Sequence, residues 1–280
     1  MKITDLYRYP VKSMGGEALQ SSALDQWGLL GDRVWAVKDR DRASIQVGKK
    51  SATLMQCRAR FVSEPTAANR SAPISIRFPD QVELKNGDPA IGAKLSTVVG
   101  LPAELTPITA EPFRREPPPP GTDMEAYLRA MFARNADEPL PDLSVFPQEV
   151  MAYEAPPGTW FDALPILLMT IQGLDALTKA RSESRFDVRR FRPNILIDAG
   201  GEGFVENQWV GKTMRIGDVQ LGIEMACPRC IMTTHGFDDL PKDSKIMRAL
   251  VQQNGGNAGV YARVIKGGTI RTGDTCIIGS

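Results

Sequence analysis

The sequence predicts a mainly β protein with a few helices, an α+β chain whose second half closes as a β-barrel packed with a β-rich N-terminal module. Three observations carry this. Short apolar runs alternate with polar residues along both halves, as in Val219, Leu221, Ile223 and Met225 beside Gln220 and Glu224; a period of two marks a strand with one buried face. Helical spacing occurs in only a few stretches. So many short strands create many exposed edges, which closure into a barrel removes.

Composition bounds the function. A chain of 280 residues can bury one large core or two modest ones. Charged residues at 24% and hydrophobic residues at 42% are ordinary for a soluble globular protein. A net charge of +1 argues against nucleic acid or a membrane surface as a partner held by bulk electrostatics. Met1 to Leu6 has no apolar signal core, and the most apolar run, Ala163 to Ile171, is well short of the ~20 residues of a membrane helix. No membrane partner and a cytoplasmic location are therefore expected. Four cysteines do not make a disulfide scaffold, and in a reducing compartment a CxxC reads as redox or metal chemistry. The single histidine, His235, removes a His-rich zinc site.

Residues 1–110 read as a β-rich module. Lys2 to Tyr9 is a first strand closed by Pro10 and the basic turn Val11-Lys12-Ser13. The turn Gly28 to Arg33 feeds a strand at Val34–Val37, and further strands are predicted at Ile74–Phe78 and Val82–Leu84. Lys12 and Arg33 sit at strand–turn junctions, where spacing alone makes them solvated charges. Residues 111–145 form a connector and a short helix. Pro117 to Pro120 reads as an extended linker, Thr122 with Glu125 as a capping box, and Met124, Leu128, Met131 and Phe132 as an apolar helix face. Residues 146–280 form the barrel. Ile166–Met169 is a buried strand, Thr170 caps the helix after it, Ser244–Gln253 is amphipathic, and strands follow at Val260–Ile265, Thr269-Ile270 and Thr275–Ile278.

Two segments carry chemistry. Arg185-Phe186-Asp187-Val188-Arg189-Arg190-Phe191-Arg192-Pro193-Asn194 is the densest cationic stretch, and interleaved guanidinium forks can converge on a phosphate or carboxylate. Its end opens into the apolar run Ile195–Ile197, which places Arg192 and Asn194 at the mouth of a buried strand. The second segment is Cys227-Pro228-Arg229-Cys230, where Pro228 ends the strand pairing and Arg229 favours an ionised thiol, below the free value of ~8.5. Zinc lacks a second CxxC. A redox couple and a single thiolate on a soft metal both stay open.

Tyr9-Pro10-Val11-Lys12-Ser13, Gly31-Asp32-Arg33, Phe191-Arg192-Pro193-Asn194, Trp209 with Arg215-Ile216-Gly217-Asp218, Arg229-Cys230 with Thr233-Thr234, and Gly273-Asp274 occur in this order. The set resembles the MOSC proteins, relatives of the C-terminal domain of molybdenum cofactor sulfurase, along nearly the whole chain, and most of all the amidoxime-reducing component group. The resemblance implies a β-barrel MOSC domain behind a MOSC N-terminal β-barrel module. It implies a molybdenum–molybdopterin cofactor with Cys230 as metal ligand and catalytic residue. Lys12, Ser13, Arg33, Arg192, Asn194 and Arg229 match positions around the pterin and its phosphate, and Thr170 and Asp162 fall near others. Pyridoxal phosphate, which belongs to another domain of the sulfurase, is not expected. Relatives commonly continue Val-Asp-Pro-Asp-Thr-Gly after the paired threonines, where this chain has His235-Gly236-Phe237-Asp238-Asp239. That departure makes His235 a candidate proton donor, set against a plain surface histidine, and leaves Cys227 without a role.

The function implied is reduction of N-hydroxylated small molecules such as amidoximes or hydroxylamines. No ferredoxin-type cysteine spacing is present, so electrons are expected from a separate reductase, ferredoxin or cytochrome-type protein. The alternatives are a sulfur or cofactor carrier using a Cys230 persulfide or ligand, and a binding module that kept the barrel and lost the cofactor. The complete basic set from Lys12 to Arg229 counts against the last.

Overall fold

The computed structural model describes residues 1–42, 44–110, 113–115 and 118–279. Strands β1 (Lys2–Arg8), β2 (Glu17–Leu19), β3 (Ser21–Asp25) and β4 (Gly28–Leu29) come first. Then follow β5 (Trp35–Asp39), β6 (Ile45–Gln46), β7 (Arg58–Phe61), β8 (Ile74–Arg77), β9 (Glu83–Lys85), helix α1 (Ile91–Val99) and β10 (Ala103–Pro107). Two short helices, α2 (Met124–Phe132) and α3 (Gln148–Ala152), lie in the connecting region. The second half runs β11 (Ile166–Thr170), α4 (Ile171–Ala180), α5 (Val188–Phe191), β12 (Ile195–Asp198), β13 (Thr213–Ile216) and β14 (Val219–Pro228). It ends with α6 (Lys245–Asn254), β15 (Asn257–Lys266), β16 (Gly268–Arg271) and β17 (Cys276–Ile278).

The main sheet has eight strands in the order β17–β13–β14–β15–β11–β12–β1–β2 and curls as a half-barrel. At one end it returns on itself: Ile3 N donates to Asp274 O at 3.0 Å and Cys276 N to Met1 O at 2.9 Å. The period-2 pattern decides its inner face. Val219, Leu221, Ile223, Met225 and Cys227 of β14 are all buried, and the first three share a core with Leu6 of β1 and with Ile166 and Leu168 of β11. A second core joins Val11, Val34, Leu54, Ile74 and Leu95 under the sheets β10–β5–β6 and β7–β8–β9.

Residues 1–110 do not stand apart from the barrel. β1 pairs antiparallel with β12, Leu6 opposite Ile195, and β3 pairs with β16. Strands β2 to β4 and helix α1 are too short to be legible in the sequence; α1 buries only Ile91 and Leu95 before Gly100 ends it in the left-handed region.

The connector departs from expectation. Asp123, not Thr122, caps α2, its Oδ1 accepting from Ala126 N at 3.0 Å, while Thr122 Oγ1 donates back to Pro119 O at 2.6 Å. An Asp beside the first turn reaches the free amides directly and competes out the threonine. Met124 is 40% exposed, so the predicted apolar face reduces to Phe132 as its one buried residue. Pro117 of the predicted polyproline run lies outside the described residues.

Candidate active site

β14 delivers the thiols. Its last registered pair is Pro228 opposite Asn257, after which Arg229 N donates to Gly256 O at 2.9 Å and the chain turns. Cys227 is the final inward residue of the strand and is buried; Cys230 lies just beyond, half-buried, at the head of a 3₁₀ turn over Ile231–Thr234. The paired threonines knit that turn. Thr233 Oγ1 donates to Cys230 O at 3.1 Å and Thr234 Oγ1 to Ile231 O at 2.6 Å.

The arginine run divides sharply. Arg185 and Arg189 face Asp239, at 2.7 and 2.9 Å, and Arg189 also holds Asp187. Arg190 is fully buried and donates to the carbonyls of Arg185, Thr233, His235 and Pro241. These forks do not converge on one ligand, contrary to the sequence reading, because local carboxylates and loop carbonyls satisfy them first. Arg192 alone turns inward. It sits in the left-handed region at φ 58°, closing α5, with its guanidinium 4.2 Å from the Tyr9 ring centroid. One of its nitrogens donates to Met14 O, and Nη2 is buried without a partner among the described residues. Burial, then the charge of Arg33, pulls its pKa down to about 10.

Arg33 stacks on the same ring, 4.8 Å from the Tyr9 centroid, and pairs with the buried Asp32. Its Nη2 donates to Arg192 O at 3.2 Å. Lys12, only 2% exposed, donates to Trp160 O at 2.7 Å and pairs with Asp162 at 2.8 Å. Burial drives the Lys12 pKa down against the pull of Asp162. Asp162 is 66% exposed, and yet burial is the largest single influence on its carboxyl. Water therefore reaches the carboxylate, which with the half-buried Cys230 marks the open side of this cluster of cations. Lys12, Lys49 and Arg33 more than offset that burial and hold the carboxyl well below the usual range.

Ser13, at φ 68°, accepts from Gly48 N at 2.8 Å. A Cβ on Gly48 would come within 2.7 Å of Met232 Cε, so the Val47–Lys50 turn lies close against the Cys230 loop and a side chain there would have to move the methionine. Sequence reasoning missed this turn and the half-buried Lys49 on it; Gly48-Lys49-Lys50 is a turn signal, without a strand long enough to frame it.

Two predicted residues are committed internally. Asn194 Nδ2 donates to Asp32 Oδ2 at 2.9 Å and its Oδ1 accepts from Leu167 N at 3.1 Å, so it locks the Arg33 turn to β11. Thr170 caps α4, accepting from Gly173 N at 3.1 Å, and donates to Glu206 at 2.6 Å. Neither hydroxyl nor amide is free for a ligand.

The thiols correct a further expectation. Arg229 Nη1 donates to Cys227 Sγ at 3.0 Å and Nη2 to Phe191 O at 2.5 Å. The guanidinium addresses the rear cysteine, not Cys230. Burial raises the Cys230 pKa, opposed by a backbone hydrogen bond from Met232 and by Arg229 and Lys49; the net shift is upward, where the sequence predicted a fall. Desolvation of the thiolate outweighs a cation aimed elsewhere. His235 is no plain surface residue either: its Nε2 is buried without a partner among the described residues, and burial lowers its pKa, with Lys242 adding to the fall and a hydrogen bond to the Gly48 backbone opposing it.

A surface depression of about 660 Å³ is lined by Arg215, Asp218, Arg271 and Asp274 and holds none of these groups. Among the described residues no helix is long and apolar enough to cross a membrane.

Comparison with known proteins follows the same geography. A MOSC N-terminal β-barrel domain model matches residues 1–88 and a MOSC domain model residues 160–276. The mitochondrial amidoxime reducing component 2 of Bos taurus is 24% identical across 97% of this chain and 81% of its own length. The Homo sapiens component 2 is 41% identical over 73 residues, 26% of this chain and 21% of that protein. The Mus musculus component 1 is 39% identical over 84 residues, 30% of this chain and 24% of that protein. The matched stretch thus spans about a fifth to a quarter of the length of these two relatives. Among solved structures, the YuaD protein of Bacillus subtilis covers 99% of this chain and 94% of its own at 12% identity and a TM-score of 0.45. With its two domain models lying in order on one polypeptide, the chain belongs to the MOSC family.

Proposed function

We propose that the chain is a molybdenum-cofactor-dependent oxidoreductase that reduces N-hydroxylated small molecules, with electrons from a separate donor protein. The names of its relatives support the reductive reading. One observation carries the site. Lys12, Arg33 and Arg192 gather from both halves about Asp162 and Tyr9, Arg229 lies beside Cys227 and Cys230, and Arg192 Nη2 and Arg229 Nε are buried donors without partners among the described residues. Leaving a buried donor unpaired costs about 1–3 kcal/mol. An anion between them would recover that cost, and a phosphorylated pterin is such an anion.

The residues present fit the group. Cys230 would hold the metal, molybdenum suiting a soft thiolate. Arg192, Arg33 and Lys12 would face the phosphate, and Ser13 would fix the roof. The bound metal supplies the two-electron redox chemistry. The chain's part is to position and desolvate: Tyr9 stacks against Arg192, the Asp32–Asn194 bridge fixes the Arg33 turn, and the recess limits water. Burial pushes the Cys230 thiol up, and a bound metal would ionise it as a ligand.

The test is molybdenum and pterin content per chain after expression in a cofactor-competent host. Wild type is expected to hold both near one equivalent, Cys230→Ala to lose the metal, and Arg192→Met to lose most of the pterin while its thermal unfolding stays cooperative. Full cofactor retention in Cys230→Ala sinks the ligand assignment; a cysteine-bound extra sulfur with no metal supports the carrier.

A further inference from the structure

The cations around Cys230 are nearly all engaged. Lys12 is held by Asp162 and Trp160 O, Arg33 by Asp32, Arg192 by Met14 O, and Arg229 by Cys227 and Phe191 O. Lys49 makes no hydrogen bond or ion pair among the described residues. Its position is nevertheless fixed. Val47 O accepts from Lys50 N and Ser51 N, both at 2.9 Å, which makes a tight turn. Ser13 Oγ accepts from Gly48 N at 2.8 Å, and the Met232 side chain fills the space a Gly48 side chain would take. A half-buried lysine with a free ammonium is thus held on a turn that packs against the Cys230 loop. Its charge is felt at three places, Lys12, Asp162 and the Cys230 thiol. Asp162, the one acid among these, is already bound to Lys12.

We propose that Lys49 is the free cation at the mouth of the Cys230 recess and draws anionic small molecules to it, which on the reductase reading means N-hydroxylated substrates bearing a carboxylate. A compact, mobile ammonium suits this role, since it can follow a substrate carboxylate without a fixed fork geometry. The Lys49 assignment concerns the mouth and leaves the cofactor cradle to the engaged cations.

Cofactor-free protein tests it through chemistry that needs no turnover. Cys57, Cys227 and Cys276 are buried and Cys230 is partly exposed, so alkylation under native conditions reports on Cys230. The rates with iodoacetate, an anion, and iodoacetamide, its neutral analogue, are compared in wild type, Lys49→Gln and Lys49→Arg. The ratio of iodoacetate to iodoacetamide rates should fall by about threefold to tenfold in Lys49→Gln, the effect of one nearby charge in a partly hydrated recess, and return in Lys49→Arg. The iodoacetamide rate follows the thiolate fraction, which falls somewhat without the Lys49 charge, and the ratio divides that common change out. An unchanged ratio overturns the proposal. With cofactor-loaded enzyme, Lys49→Gln should raise KM for a carboxylated benzamidoxime and leave that for benzamidoxime in place. Loss of molybdenum or pterin in Lys49→Gln would make the lysine a cofactor contact and overturn the proposal as well. A ratio that falls as predicted, in a wild type that holds cofactor and reduces neither amidoxime, removes the reductase reading and keeps the cation assignment.

Discussion

Glu206 is a fully buried carboxyl that accepts from Thr170 Oγ1 at 2.6 Å, behind the first turn of α4. Burial raises its pKa above the ordinary 4.5, and the Thr170 hydroxyl and the backbone amides of Glu206 and Gly259 oppose the rise without cancelling it. A raised folded-state pKa means the native protein binds this proton more tightly than the unfolded chain does. The stabilisation is complete below the unfolded value and is lost as pH climbs through the folded one. Glu206→Gln, neutral throughout, should therefore gain stability relative to wild type on going from acid to neutral pH. Urea unfolding across that range checks it, and a constant difference would show that the Glu206 pKa is the same in the folded and unfolded chain. Thr170 matches a motif position for a cofactor contact; its hydroxyl instead serves this carboxyl and the helix start, a partnership invisible until residues 36 positions apart are placed together.

At the scale of elements, the segment after Cys230 is shaped from below by Arg190. Its guanidinium collects the carbonyls of Thr233, His235 and Pro241, at 3.2, 3.0 and 2.7 Å, and so holds the 3₁₀ turn and the loop beyond it against α5. Arg190→Met keeps the volume and strands these carbonyls. It should cost about 2–4 kcal/mol in urea unfolding and loosen amide protection over residues 231–241. A loss under about 1 kcal/mol would mean that water replaces the guanidinium at little cost. The run from Arg185 to Arg192 is legible in the sequence as important, and its division of labour is not. Four arginines at helical and turn spacing look alike in sequence, while only the one in the left-handed region at the helix end stacks on Tyr9 beside Arg33.

Across the whole molecule, the recess exists because the chain returns to its start. β1 pairs with β12, which sets the Lys12–Met14 turn beside Arg192, and Asn194 joins Asp32 at 2.9 Å across 162 positions of sequence. Asp32→Ala and Asn194→Ala should each destabilise, and their double-mutant cycle should show a coupling of about 1–2 kcal/mol. Additive effects would remove this bridge as a link between the two halves. A division at residue 110 follows the Pro-rich composition, but the physical core does not respect it, since Ile3, Leu6, Leu24 and Leu29 pack inside the barrel.

Period-2 alternation determined β14 and, with it, the place where both thiols emerge, because burial of one sheet face leaves the pattern little freedom. Buried strands at Ile166 and Ile195 and the Thr170 cap were likewise local matters of residue type and spacing. Tertiary structure alone decided the electrostatics. Arg229 is adjacent to Cys230 in sequence and bonds to Cys227, because side-chain direction follows the turn and not the order of residues. The Cys230 thiol is shifted upward, not downward, because desolvation depends on everything that surrounds it. Lys49 sits on a turn that no motif marked, and only the closeness of Gly48 to Met232 sets that turn against the Cys230 loop.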